Sequence, residues 1–233
     1  MKEMIIASTS TIHGSEYLEY LLDEIDQLYN NIEEIVFIPY ARPSGISHDE
    51  YTDLVENALT PLGICVRGLH EFENPIEGLT QAKGIFTGGG NTFLLVKMLY
   101  DLGLMSVLNN RVEAGTPYLG TSAGSNITGL NMKTTNDMPI VYPPSFNTTG
   151  LIPFNINAHY LDPDPSSTHK GETRETRIKE FHKFNKQTVI GLREGSWLSV
   201  KGNEIKLKGS LSARVFEQEK KPYELAVNSV INS

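Results

Sequence analysis

Short apolar runs alternate with helix-patterned segments through the first 124 residues, and this alternation limits the fold more than any other feature. MIIAST (4–9), EIVFIPYA (34–41), GICVRGL (63–69), GIFTGGG (84–90) and TPYLGTSAG (116–124) read as strands. Between them, residues 15–29 place Leu18, Leu21, Leu22, Ile25 and Leu28 at helical spacing, and 48–60, 91–103 and 105–115 read as further helices. Asn91 is positioned to cap the third of these helices and Gly103 to end it. EIVFIPYA is apolar without interruption, as expected of a strand covered on both faces. The pattern predicts an α/β fold with a mostly parallel sheet and helices on both faces. Ligands in such sheets bind at the carboxyl ends of the strands, where Gly88–Gly90 and Ser122 both fall.

The second half reads differently. Residues 136–170 are rich in Pro, Asn, Asp, Ser and Thr, with a strand-like FNINAHY (154–160) inside them. ETRETRIKEFHKF (172–184) reads as a helix, TVIGLREG (188–195) as a strand ending in a turn, and 196–209 as a β-hairpin turning at Gly202-Asn203. No repeat, low-complexity tract or linker divides the chain, so residues 1–233 read as one domain. No apolar run approaches the ~20 residues of a membrane span. The opening MKEMIIASTS is too short an apolar patch for a signal peptide and is interrupted by Glu3. The net charge of −8, with no basic cluster, argues against nucleic acid as a partner. A single cysteine, Cys65, excludes an intrachain disulfide; within ICV (64–66) it reads as a buried small hydrophobe, and the cytoplasm is the expected location.

Gly120-Thr121-Ser122-Ala123-Gly124 matches G-x-S-x-G, the turn that lifts a serine hydroxyl out of a sheet and frees the next backbone N–H for an oxyanion. The same residues could equally be a Gly/Ser turn into an ordinary helix. Thr87-Gly88-Gly89-Gly90-Asn91 is neither a Walker loop nor a dinucleotide fingerprint. Its glycines either present N–H groups to an anion or merely permit a tight turn. A serine nucleophile needs a base. Of His13, His48, His70, His159, His169 and His182, His159 stands at a strand end and is favoured over His169, which lies in a Ser/Thr-rich loop. His182, on a charged helix, reads as solvated. Asp137, Asp162, Asp164 and Glu194 are the carboxylates available to steer the base. No His/Cys/Asp/Glu spacing suggests a zinc site.

FTGGGNTF (86–93), GTSAGSN (120–126), TTNDMPI (134–140), NINAHY (155–160), HKGETRETRI (169–178) and VIGLREGS (189–196) together resemble peptidase E, the aspartyl dipeptidase family of serine peptidases, in the family's order and over most of the chain. The resemblance implies a fold like class I glutamine amidotransferases. It implies Ser122 as nucleophile, His159 as general base and Glu194 as the acid orienting it, with Gly90 and Ala123 as oxyanion-hole donors. Asp137 matches an acidic position near the active site and is the alternative third triad member. Arg174 matches the arginine expected to bind the substrate's aspartate side chain, and Thr121 stands where some members have Trp. The implied activity is hydrolysis of dipeptides with an N-terminal aspartate, without metal or organic cofactor. The expected partner is a small Asp-Xaa peptide, with no nucleic acid or membrane and with a homodimer left open. Two other readings stand beside it: a cyanophycinase-like serine hydrolase and a non-catalytic binding protein on the same scaffold.

Overall fold

Strands buried on both faces must lie inside a layered structure, and the first half of the chain supplies them. The computed structural model describes residues 1–164, 166, 168 and 171–231. Its first strands are β1 (Glu3–Ala7), β2 (Glu34–Ile38), β3 (Cys65–Gly68), β4 (Ile85–Thr87) and β5 (Tyr118–Thr121). They run parallel in the order β3-β2-β4-β5-β1. Then follow β6 (Asn155–Ala158), β7 (Val189–Leu192), β8 (Ser196–Lys201), β9 (Glu204–Gly209), β10 (Ala213–Phe216), β11 (Tyr223–Leu225) and β12 (Val230–Ile231). β8, β9 and β12 extend the sheet antiparallel beyond β1, making eight strands. The β8–β9 hairpin turns at Gly202-Asn203, as expected, with Gly202 at φ 60°.

A second sheet was not foreseen. β6 and β7 pair in parallel with each other, and β10 and β11 complete a separate four-stranded sheet in the order β11-β10-β7-β6. The helices are α1 (Leu22–Leu28), α2 (His48–Leu59), α3 (Pro75–Gln81), α4 (Thr92–Asp101), α5 (Leu104–Glu113), the single-turn α6 (Ala123–Asn126) and α7 (Arg174–Phe181). Alternation along the strands divides them between the faces. Ile5, Ala7, Ile35 and Phe37 pack with Ile25 of α1 and with Tyr51 and Val55 of α2. Met4, Ile6, Val36 and Ile38 pack with α3, α4 and α5, and Ile156, Ile190 and Val215 of the second sheet join that same cluster. No single helix is long and apolar enough to cross a membrane among the described residues.

Local chemistry sets the helix ends. Ser47 and Glu50 form a capping box at α2, and the Asn91 side chain accepts the Leu94 N–H at 3.1 Å, capping α4 as its position predicts. Three expectations fail. The helix of 15–29 is shorter, because Leu18 sits at φ 60° with its N–H donated to the Ser10 carbonyl; only a 3-10 turn at 19–21 and α1 remain. Cys65 is exposed, since edge strand β3 alternates and turns Val66 and Gly68 inward instead. His182 is buried rather than solvated: it follows α7, with Nε2 3.0 Å from the Gln187 carbonyl.

Candidate active site

Ser122 follows β5 on a turn that most residues avoid, with φ 52° and ψ −106°. Neighbouring bonds hold it there. Its N–H reaches the Ala7 carbonyl at 3.1 Å, and its carbonyl accepts the N–H groups of Ser125 and Asn126 at 3.0 and 2.9 Å. The Ser125 hydroxyl, missed in the sequence, lies 2.6 Å from the Ala7 carbonyl and 2.8 Å from that of Gly120, so it braces the turn from beneath. The flanking glycines are steric requirements. A Cβ on Gly120 would stand 2.6 Å from the Gly124 carbonyl oxygen, and one on Gly124 would stand 2.1 Å from that of Thr87.

His159 and Glu194 come from the second sheet, just past the ends of the paired strands β6 and β7. His159 Nε2 lies 2.8 Å from Ser122 Oγ, and its Nδ1 lies 2.8 Å from Glu194 Oε1. With the proton on Nδ1 donated to the carboxylate, Nε2 is free to accept the serine proton. The expected convergence of the three side chains is therefore present at hydrogen-bond distance.

The glycine loop passes over the serine: a Cβ on Gly89 would lie 3.1 Å from Ser122 Cβ. Gly90 has φ 144°, and a Cβ there would collide with the Ala41 carbonyl at 2.3 Å. That carbonyl accepts the Asn91 N–H instead. Neither the Gly90 nor the Ala123 N–H has a backbone acceptor among the described residues.

Asp137 does not bond His159. Its Oδ2 accepts the Thr92 N–H at the start of α4 at 2.7 Å and the Thr135 hydroxyl at 2.9 Å. Thr92 and Thr135 in turn receive the Asn126 amide, which links this cap to the serine turn. Asp162 is bound by the fork of Arg193 through two 2.8 Å hydrogen bonds, and Asp164 accepts the Ser166 N–H. Arg174, at the first turn of α7, has no carboxylate partner among the described residues. Glu172 lies against Arg177, and Glu175 against Lys179 and Arg214. Partial burial, and then Arg177, push the Arg174 guanidinium down from its usual range, while Asp137 opposes them. Thr121 is fully buried. His48 packs against His70, which pairs with Asp49; His13 is exposed, and His169 lies outside the described residues. Among the described residues no three His, Cys, Asp or Glu side chains group closely enough to hold a metal ion.

A serine on a strand-to-helix elbow, backed by an imidazole and a carboxylate in line, is the constellation of a serine hydrolase. The family model described as Peptidase family S51 matches residues 4–208, and the chain belongs to that family of serine-type peptidases. It is 50% identical over 226 residues to "Peptidase E" of Streptomyces coelicolor, covering 97% of this chain and 92% of that protein. It is 42% identical over 228 residues to the "Probable alpha-aspartyl dipeptidase" of Drosophila melanogaster, covering 97% of this chain and 94% of the relative. A crystal structure of a peptidase from an acI-B1 actinobacterium shares the fold with a TM-score of 0.73 at 16% identity, covering 100% of this chain and 97% of that one.

Proposed function

We propose that the protein hydrolyses dipeptides with an N-terminal aspartate through an acyl-enzyme on Ser122. The observation that carries the chemistry is the unbroken chain Ser122 Oγ, His159, Glu194, with both contacts at 2.8 Å. Ser122 attacks the carbonyl of the aspartyl residue as its proton passes to His159 Nε2, and Glu194 holds the ring and stabilises the imidazolium. The N–H groups of Gly90 and Ala123 receive the developing oxyanion; losing one such donor typically raises the barrier by about 3–4 kcal/mol. His159 then returns the proton to the leaving amine. Water, activated by the same imidazole, releases aspartate and restores the serine hydroxyl. Asp137 serves as a helix cap and not as the third member of the triad, because its carboxylate is taken by Thr92 and Thr135.

The substrate reading draws on two lines of support. A 42% identical relative carries the name alpha-aspartyl dipeptidase. Arg174 is a partly buried guanidinium without an anionic partner among the described residues, a state that a substrate carboxylate would relieve. The cytosol suits the chain's exposed free thiol, Cys65. The test is hydrolysis of Asp-Leu, Glu-Leu, Asn-Leu and β-Asp-Leu, with cyanophycin as a competing substrate, by the wild type and Ser122→Ala. Asp-Leu should be cleaved fastest and Ser122→Ala should lose that activity. Preferential cleavage of cyanophycin would overturn the substrate assignment, and an active Ser122→Ala would overturn the mechanism.

A further inference from the structure

The reacting groups stand on two different sheets, so something must hold the sheets in register at the point where they meet. We infer that Ser8 is the positioning residue that does this, an assignment that rests on reading Ser122, His159 and Glu194 as the triad. Ser8 follows the last residue of β1 and is fully buried. Its hydroxyl accepts the backbone N–H of His159 at 2.9 Å and donates to the Leu192 carbonyl at 2.7 Å. Its own N–H reaches the Ser196 carbonyl at 3.1 Å. The residue before it, Ala7, accepts the N–H of Ser122. Two consecutive residues at the end of β1 therefore touch the nucleophile's backbone, the base's backbone and the end of the strand leading to Glu194.

His159 needs this contact because of its own conformation. At φ 53° it leaves the extended path of β6, and its N–H finds its partner in the Ser8 hydroxyl of the neighbouring sheet. The chain re-enters the ladder one residue later, where Tyr160 N–H reaches Leu192 at 3.1 Å. A hydroxyl fits this position because it must donate in one direction and accept in the other. Alanine offers neither and leaves the His159 N–H unpaired in a partly buried joint, free to rotate away from the left-handed geometry that aims Nε2 at Ser122. Small misplacements of a reacting group can cost about 100-fold in rate while binding is retained.

The experiment compares Ser8→Ala, Ser8→Cys and Ser122→Ala with Thr149→Val, which removes a similarly buried hydroxyl bond, to the Ile127 carbonyl at the far end of α6, from a residue with no hydrogen bond to the triad. Steady-state Asp-Leu hydrolysis, the rate at which diisopropyl fluorophosphate phosphorylates Ser122 with loss of fluoride, and Tm are measured for each. Ser8→Ala should lower kcat and the phosphorylation rate by about 10- to 100-fold with KM within about twofold. Ser8→Cys, which keeps a weak donor and acceptor, should fall between it and the wild type. Thr149→Val should lose Tm yet keep kcat within about twofold. A wild-type kcat in Ser8→Ala, or an equal kcat loss in Thr149→Val, overturns the assignment. If Ser8→Ala does not fold, Ser8→Cys decides on the same kcat criterion. Undiminished hydrolysis by Ser122→Ala would instead refute the triad itself, and fluorophosphate labelling reads the serine whatever the peptide preference proves to be.

Discussion

An arginine that is partly withdrawn from water and makes no ion pair is a poor stability device and a good anion receptor. Arg174 has that character among the described residues: Glu172 and Glu175, its nearest candidates in sequence, are engaged with Arg177, Lys179 and Arg214, and Asp137 acts on it only from beyond ion-pair distance. A substrate aspartate offers a planar carboxylate that the guanidinium fork can bind through two parallel charge-assisted bonds. An asparagine side chain offers one acceptor and turns N–H donors against the cation. A glutamate carries its charge one methylene further out and displaces the scissile carbonyl from Ser122. Arg174→Met should therefore lower kcat/KM for Asp-Leu by about 100-fold and leave slow Asn-Leu cleavage nearly unchanged. Paired kinetics on the two substrates check this, and equal losses on both would show that Arg174 does not read the carboxylate. In that event Arg177→Met is the variant to make.

Among the secondary-structure elements, β6, β7, β10 and β11 are held to each other and to α7 by a chain of ion pairs. Arg193, next to Glu194, binds Asp162 beyond β6 and Glu224 of β11, and Arg214 of β10 reaches both Glu224 and Glu175 of α7. The hydrogen bond from Arg193 lowers the Glu224 pKa to about 2, burial opposes it, and Ser212 adds to it. The folded value lies below the ordinary value of about 4.3, so this carboxylate stabilises the fold at pH above that value and loses its contribution as the pH falls toward 2. Because Glu224 remains substantially exposed, the effect is modest. Calorimetry of Glu224→Gln should show a lower Tm at pH 7 and a shallower fall in Tm between pH 5 and 2 than the wild type. An identical acid profile would mean that the pair contributes nothing. Much of the first sheet was legible because β1, β2, β4 and β5 are apolar on both faces, and the serine turn because glycines bracket it at sterically closed positions. β6 and β7 were legible as strands, but their partners were not. β10 lies outside the alternating pattern, β11 has only three residues with little burial, and their pairing is non-local. Cys65 was misread because an apolar triplet hides the alternation of an edge strand, and His182 because helical charge says nothing about the residue that ends the helix. Ser8 left no signal beyond a small polar residue at a strand end, since what it touches lies more than 150 residues away in the chain.

For the molecule as a whole, the question is whether two sheets unfold as one body. The larger core cluster runs without a break from Met4 and Ile6 through α4 and α5 to Ile156, Ile190, Leu192 and Val215 of the second sheet. Loss of the second sheet would therefore strip cover from the first, and shared burial of this kind makes unfolding cooperative. The chain's one tryptophan, Trp197, sits on β8 of the larger sheet and packs on its opposite face, so its fluorescence reports a core cluster that contains no residue of β10 or β11. Asp-Leu hydrolysis reports the joint itself, because it requires Ser122 from one sheet and His159 from the other. In a urea titration, Trp197 fluorescence, far-ultraviolet circular dichroism and hydrolytic activity should fall with coincident midpoints. Ile190→Ala, which opens a cavity at a fully buried position of β7, should cost about 2–5 kcal/mol and move all three midpoints together. If activity is lost well before the fluorescence changes, and Ile190→Ala widens that gap while leaving the Trp197 midpoint in place, the second sheet unfolds on its own and the continuous core does not couple the two.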